Sequence, residues 1–92
     1  MYTAVPSRRY IRSLKRISRH KDFNREKLNQ VIIALKESKK LAPQNHDHEL
    51  SGKLAGVREC HIQPDVLLLY QIHHNELILL LINIGSHPEL FG

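Results

Sequence analysis

Tryptophan is absent from this 92-residue chain, which holds one methionine, two phenylalanines, three tyrosines and a single cysteine, Cys60. A lone cysteine excludes an internal disulfide, and without cysteine pairs the common zinc-binding patterns are missing as well. Long apolar runs are also absent. The longest, Leu77 to Ile82, falls far short of the ~20 residues that cross a bilayer and reads as a buried strand. No basic, apolar and small-residue leader opens the chain, so the cytoplasm is the expected compartment. Acids are scattered singly rather than clustered, which argues against a magnesium-dependent nuclease. No repeat or low-complexity tract occurs. With 41% hydrophobic and 25% charged residues, the chain is expected to fold as one domain over residues 1–92.

What is present is unevenly placed. Residues 1–41 carry twelve Lys and Arg against three acids, and residues 42–92 carry two against six. The front half is therefore +9 and the back half −4, which sums to the net +5. A basic front suits a phosphate backbone or an acidic protein, and it equally suits the solvated faces of two helices. Seven histidines complete the inventory. His48, His61 and His87 lie beside turn-forming residues in the acidic half, and imidazoles gathered by folding can move protons near neutral pH.

Hydropathy spacing predicts a strand at Tyr2 to Val5 and a helix from Ser7 to about Arg19, with Tyr10, Ile11, Leu14 and Ile17 on one side. After a break at His20 to Asn24, Asp22 or Asn24 can cap a second helix striped by Leu28, Val31, Ile32 and Leu35. Leu41 to Gly56 is rich in turn formers and reads as a long surface loop. Strands follow at Val57–Ile62, Val66–Ile72 and Leu77–Ile84, parted by Gln63-Pro64-Asp65 and His73-His74-Asn75, and Gly85-Ser86-His87-Pro88 closes in a turn. The expected fold is α+β: a short first strand, an α-helical hairpin and a three-stranded antiparallel meander, with the helices on one sheet face.

Several spaced motifs then act together. His48-Glu49-Leu50-Ser51-Gly52, His61-Ile62-Gln63-Pro64-Asp65, Gly85-Ser86-His87 and Leu90-Phe91-Gly92 make the chain similar, over nearly its whole length, to the YafQ branch of the RelE-like bacterial toxins. That resemblance implies a ribosome-dependent mRNA endoribonuclease of a type II toxin–antitoxin system, working without cofactor or metal. It implies as partners a cognate acidic antitoxin, the ribosome and its message, with operator DNA met only through the antitoxin complex and no membrane. Carried over residue by residue, His48 is the expected general base and His87 the general acid, two roles that are interchangeable at this stage. Asp65 either orients a histidine or contacts RNA, and Phe91 either stacks on a base or packs the tail. Val66 stands where the family often has an aromatic residue.

The residues add their own reading. Alternation places Glu59 on the same strand face as His61, so His61 is expected to bind phosphate or assist proton transfer, with Glu59 orienting it. Arg58 either offsets phosphate charge or forms a structural ion pair. His46 has a weaker claim, and His20, His73 and His74 are expected in turns. The competing function is a non-enzymatic binder on the same fold, acting on another target or as an antitoxin-dependent co-repressor.

Overall fold

Ser7 joins the first strand to the first helix. Its hydroxyl oxygen accepts from the Tyr10 amide at 3.0 Å and its hydroxyl donates to the Ile82 carbonyl at 2.7 Å, so one side chain caps a helix and ties it to the sheet. In the computed structural model, which describes residues 1–92, strand β1 (Thr3–Pro6) leads into helix α1 (Arg8–Ile17). Tyr10, Ser13 and Ile17 are its buried positions, whereas Ile11 of the expected stripe is exposed. Asn24 caps helix α2 (Arg25–Lys36) by accepting from the Lys27 amide at 3.1 Å, and α2 buries Leu28, Val31 and Leu35 at helical spacing.

The remaining strands are β2 (His48–Glu49), β3 (Arg58–Gln63), β4 (Val66–His73) and β5 (Ile78–Gly85), followed by helix α3 (His87–Phe91). They form one five-stranded sheet in the order β1-β5-β4-β3-β2. The α+β class is as expected, but the sheet corrects the three-stranded antiparallel meander. β1 adds to β5 in parallel, Thr3 opposite Ile78, while β2 adds to β3 in antiparallel fashion. The sheet is therefore mixed. A third helix also replaces the predicted final turn: Ser86 and Glu89 form a capping box around its first turn.

Strand alternation divides the sheet into two faces. Cys60, Ile62, Leu68, Tyr70, Leu79, Leu81 and Ile84 share one core cluster with the buried residues of α1 and α2. Glu59, His61, Leu67 and Leu69 alternate with these and point the other way. Two register shifts, one between His61 and Gln63 and one between Leu69 and Tyr70, mark β-bulges; such bulges bend strands and re-aim side chains.

Candidate active site

The centre of the site is Glu59, a carboxylate only 7% exposed. Burying a carboxylate is costly unless partners compensate it. Its Oε1 lies 3.6 Å from His48 Nε2 and 3.9 Å from His61 Nε2, so either imidazole forms an ion pair with it when protonated. The backbone explains the meeting. His48 sits directly opposite Glu59 in the β2–β3 ladder, and His61 is two residues along the same strand, on the same face.

A second contact defines the chemistry of His48. Its Nδ1 is 2.7 Å from the His46 carbonyl oxygen, and a carbonyl only accepts, so Nδ1 carries a hydrogen. In the neutral ring the free lone pair is then on Nε2, the nitrogen facing Glu59. His46 itself has a left-handed backbone, φ 48°, which turns the chain from the short 3-10 turn Pro43–Asn45 into β2. Its ring meets that of His61 edge-on, with centroids 5.3 Å apart. Asn45 donates to the His61 carbonyl at 2.7 Å. His46, ranked below the other three from sequence, thus belongs to the same cluster; the signal for it was the His-x-His spacing, whose meaning depends on the turn.

A cleft of about 510 Å³ borders this cluster, lined by Lys27, Gln44, Asn45, His46, His61 and Gln63 among others. Lys27 is the only Lys or Arg in its lining. No group of three or more His, Cys, Asp or Glu is arranged to hold a metal ion.

His87 occupies the start of α3, and its ring lies 4.9 Å from that of Phe91 at an angle of 48°. It does not touch the cluster directly. His61 is opposite Leu67, and Leu67 is opposite Gly85, so two strand spacings, about 10 Å, separate His61 from the position two residues before His87. A Cβ at Gly85 would come within 2.9 Å of Glu89 Oε1, so the carboxylate that caps α3 would have to shift. Asp65 is exposed in the β3–β4 turn and lines a separate groove of about 520 Å³ with Arg16, His20, Lys21, Ser86 and Glu89.

Arg58 lies on the helix-covered face, away from Glu59 and His61. Its guanidinium is held by Asp47, with Nε–Oδ1 3.3 Å and Nη2–Oδ2 3.2 Å, and its Nε is 3.3 Å from the Tyr70 hydroxyl oxygen. This is the ion-pair arrangement among the two alternatives for Arg58. Burial pushes the Cys60 thiol up to about 12, leaving it inert as a nucleophile. His74 accepts or donates one bond with the Tyr2 hydroxyl at 2.6 Å, His73 pairs with Gln71 at 3.1 Å, and His20 lines the Asp65 groove.

A family model described as the bacterial toxin of type II toxin–antitoxin systems, YafQ, matches residues 2–92. The chain belongs to the YafQ toxin family. Among its relatives, the mRNA interferase toxin YafQ of Escherichia coli K12 is 32% identical over 74 residues, which are 80% of this chain and 77% of that protein. A copper-bound mutant toxin from Helicobacter pylori superposes with a TM-score of 0.92 at 36% identity, covering 99% of this chain and 100% of that one. YafQ in the E. coli DinJ–YafQ complex superposes with a TM-score of 0.84 at 28% identity, covering both chains fully at 100%.

Proposed function

We propose that this YafQ-family toxin is an mRNA interferase that cuts message on the ribosome by acid–base chemistry between its histidines, inhibiting translation. The observation that carries the reading is the buried Glu59 carboxylate shared by His48 and His61. His48, with Nδ1–H fixed on the His46 carbonyl, presents Nε2 as the base that removes the proton of an RNA 2′-hydroxyl. The freed oxygen attacks the adjacent phosphorus, forming the 2′,3′-cyclic phosphate as the bond to the 5′-oxygen breaks. His87 supplies the proton to that leaving oxygen. His61, beside Glu59, faces the negative charge that builds on the phosphorane-like transition state.

The other side chains frame the substrate. The Phe91 ring, 36% exposed and packed on His87, offers a stacking face beside the acid. Asp65 sits at the same end of the sheet, where the β3–β4 turn meets Ser86, and contacts RNA there. Arg58 serves the reaction through the loop that carries His48 rather than by touching phosphate. Although one solved relative is copper-bound, the donors here do not form a metal-holding group, and each step above uses only this chain's side chains. The basic front half meets ribosomal RNA, and a cognate acidic antitoxin masks the toxin in the cytoplasm; operator DNA is met through that complex.

Primer extension on a translated message, with and without ribosomes, tests the function. Cuts that need ribosomes and keep the reading frame are expected, and alanine at His48 or His87 should slow them by on the order of 10². Undiminished cutting by both variants would leave a binding protein as the better account.

A further inference from the structure

Asp47 stands between two histidines of the cluster, yet its side chain goes elsewhere. His46 and His48 meet His61 and Glu59 on one face of the sheet. The Asp47 carboxylate reaches the helix-covered face, where Arg58 grips it through two nitrogens and the Tyr70 hydroxyl donates to Oδ1 at 2.5 Å. We propose that Asp47, held by Arg58 and Tyr70, is the positioning residue that sets the angle and reach of His48 toward the scissile phosphate.

The anchor is rigid. Tyr70 is 1% exposed in the central strand β4, and Arg58 is paired directly with it across the β3–β4 ladder. Burial, and next its bond to Asp47, push the Tyr70 phenol above its usual range, so it remains a donor at physiological pH. Asp47 likewise raises Arg58 above its usual range. A guanidinium offers its donors in a fixed plane, and two-pronged bonds to a carboxylate fix direction as well as distance.

The loop needs such an anchor. From Leu41 to Gly56 the chain holds only a two-residue strand and two 3-10 turns, and its other side-chain hydrogen bond to the sheet is that of Asn45 to the His61 carbonyl. Neighbouring residues on an extended backbone point in opposite directions. Gripping Asp47 from one face therefore presses His48 outward on the other, and the His46 carbonyl that fixes the His48 tautomer moves with it. A loosened loop would leave every catalytic group in place chemically and misplace it geometrically, and misplacement on the order of 1 Å costs about 10² in rate.

This inference rests on His48 acting in acid–base transfer, so His48→Ala is the reference. Single-turnover cleavage on ribosomes programmed with message separates the maximal rate from the apparent affinity for the complex, and 15N spectra of the imidazoles report the His48 Nδ1–H bond. Asp47→Ala should lower the maximal rate by on the order of 10², leave the affinity unchanged and abolish the His48 Nδ1–H signal. Asp47→Asn, which retains an acceptor for Tyr70 but loses the charge, should fall between it and the native protein. Tyr70→Phe, which removes one hydroxyl, serves if Asp47→Ala fails to fold; it too should slow the maximal rate and shift the His48 signal. If His48→Ala is inactive while Asp47→Asn and Tyr70→Phe cut at the native rate with unchanged spectra, the positioning role is overturned and the active site stands. A change confined to affinity overturns it as well. If His48→Ala itself cuts normally, the acid–base reading falls, and this inference falls with it.

Discussion

At the scale of the residue, Glu59 holds the most tension. Solvent is nearly excluded from it, and the Nε2 atoms of His48 and His61 lie 3.6 and 3.9 Å from its Oε1. Glu59→Gln keeps the volume and removes the charge that both rings share. It should lower the single-turnover cleavage rate by roughly tenfold, equivalent to about 1.4 kcal/mol in the barrier, with the fold retained. Cleavage at the native rate would show that the carboxylate only fills space. The partnership of Glu59 with His61 was legible in the sequence, because two residues apart on a strand means one face. The partnership with His48 was not, since it depends on a ladder between residues eleven positions apart, His48 and Glu59. Asp47 was invisible for the same reason: its carboxylate acquires meaning only when the register brings Arg58 beneath it.

At the scale of the element, α3 shows how a helix of five residues is held by its cap. Glu89 accepts from the Ser86 amide at 2.8 Å, and this bond, ahead of its other contacts, holds its carboxyl below the usual range. A carboxyl lowered by folding stabilises in full above its ordinary pKa near 4.3, and that contribution disappears as pH falls through the folded value. Acidification should therefore fray α3 before the sheet opens. Amide exchange at Glu89 and Leu90, together with loss of the His87–Phe91 ring contact, measures this, and exchange rates independent of pH-driven protonation would contradict it. Ser86→Ala should cost about 1 kcal/mol of local helix stability.

The capping box behind this behaviour was present in the sequence as Ser86 followed three residues later by Glu89. Gly85 and Pro88 nevertheless gave the segment the look of a turn, although Pro suits the first turn of a helix, where its missing N–H is not needed. Strand β2 was hidden differently. Two residues cannot display alternation, so His48 and Glu49 read as loop.

At the scale of the whole molecule, the first two helices and the last three strands were readable as elements because each carries its own periodicity. Mixed topology was not, because the parallel partner of Thr3 is Ile78 and nothing local announces a pairing across most of the chain. Charge, by contrast, kept the division seen in the sequence. Arg9, Arg12 and Lys15 are exposed on α1, whereas Arg16 is engaged with Glu89 at 3.4 Å. Replacing those three with serine should weaken ribosome association and flatten its dependence on salt, as expected when fewer phosphates are neutralised; an unchanged slope would mark the face as merely solvated.

Alkaline pH provides a second global test. Burial, the largest cause in both, raises Tyr10 and Tyr70 above the ordinary phenol value. Their contribution is complete below the unfolded value near 10 and is lost as pH rises toward the folded values, because the unfolded chain then ionises first. Denaturant midpoints should fall above about pH 10, and Tyr70→Phe should lessen the fall.

The strand order also governs when the sheet can close during synthesis. β1 has no neighbour except β5, and Ser7 reaches forward to Ile82. While the chain is still being synthesised, its earliest strand waits unpaired and the helix behind it lacks its tether. His87 emerges later still. A ribosome therefore releases β5, which completes the sheet, and the last of the seven histidines in nearly the same moment.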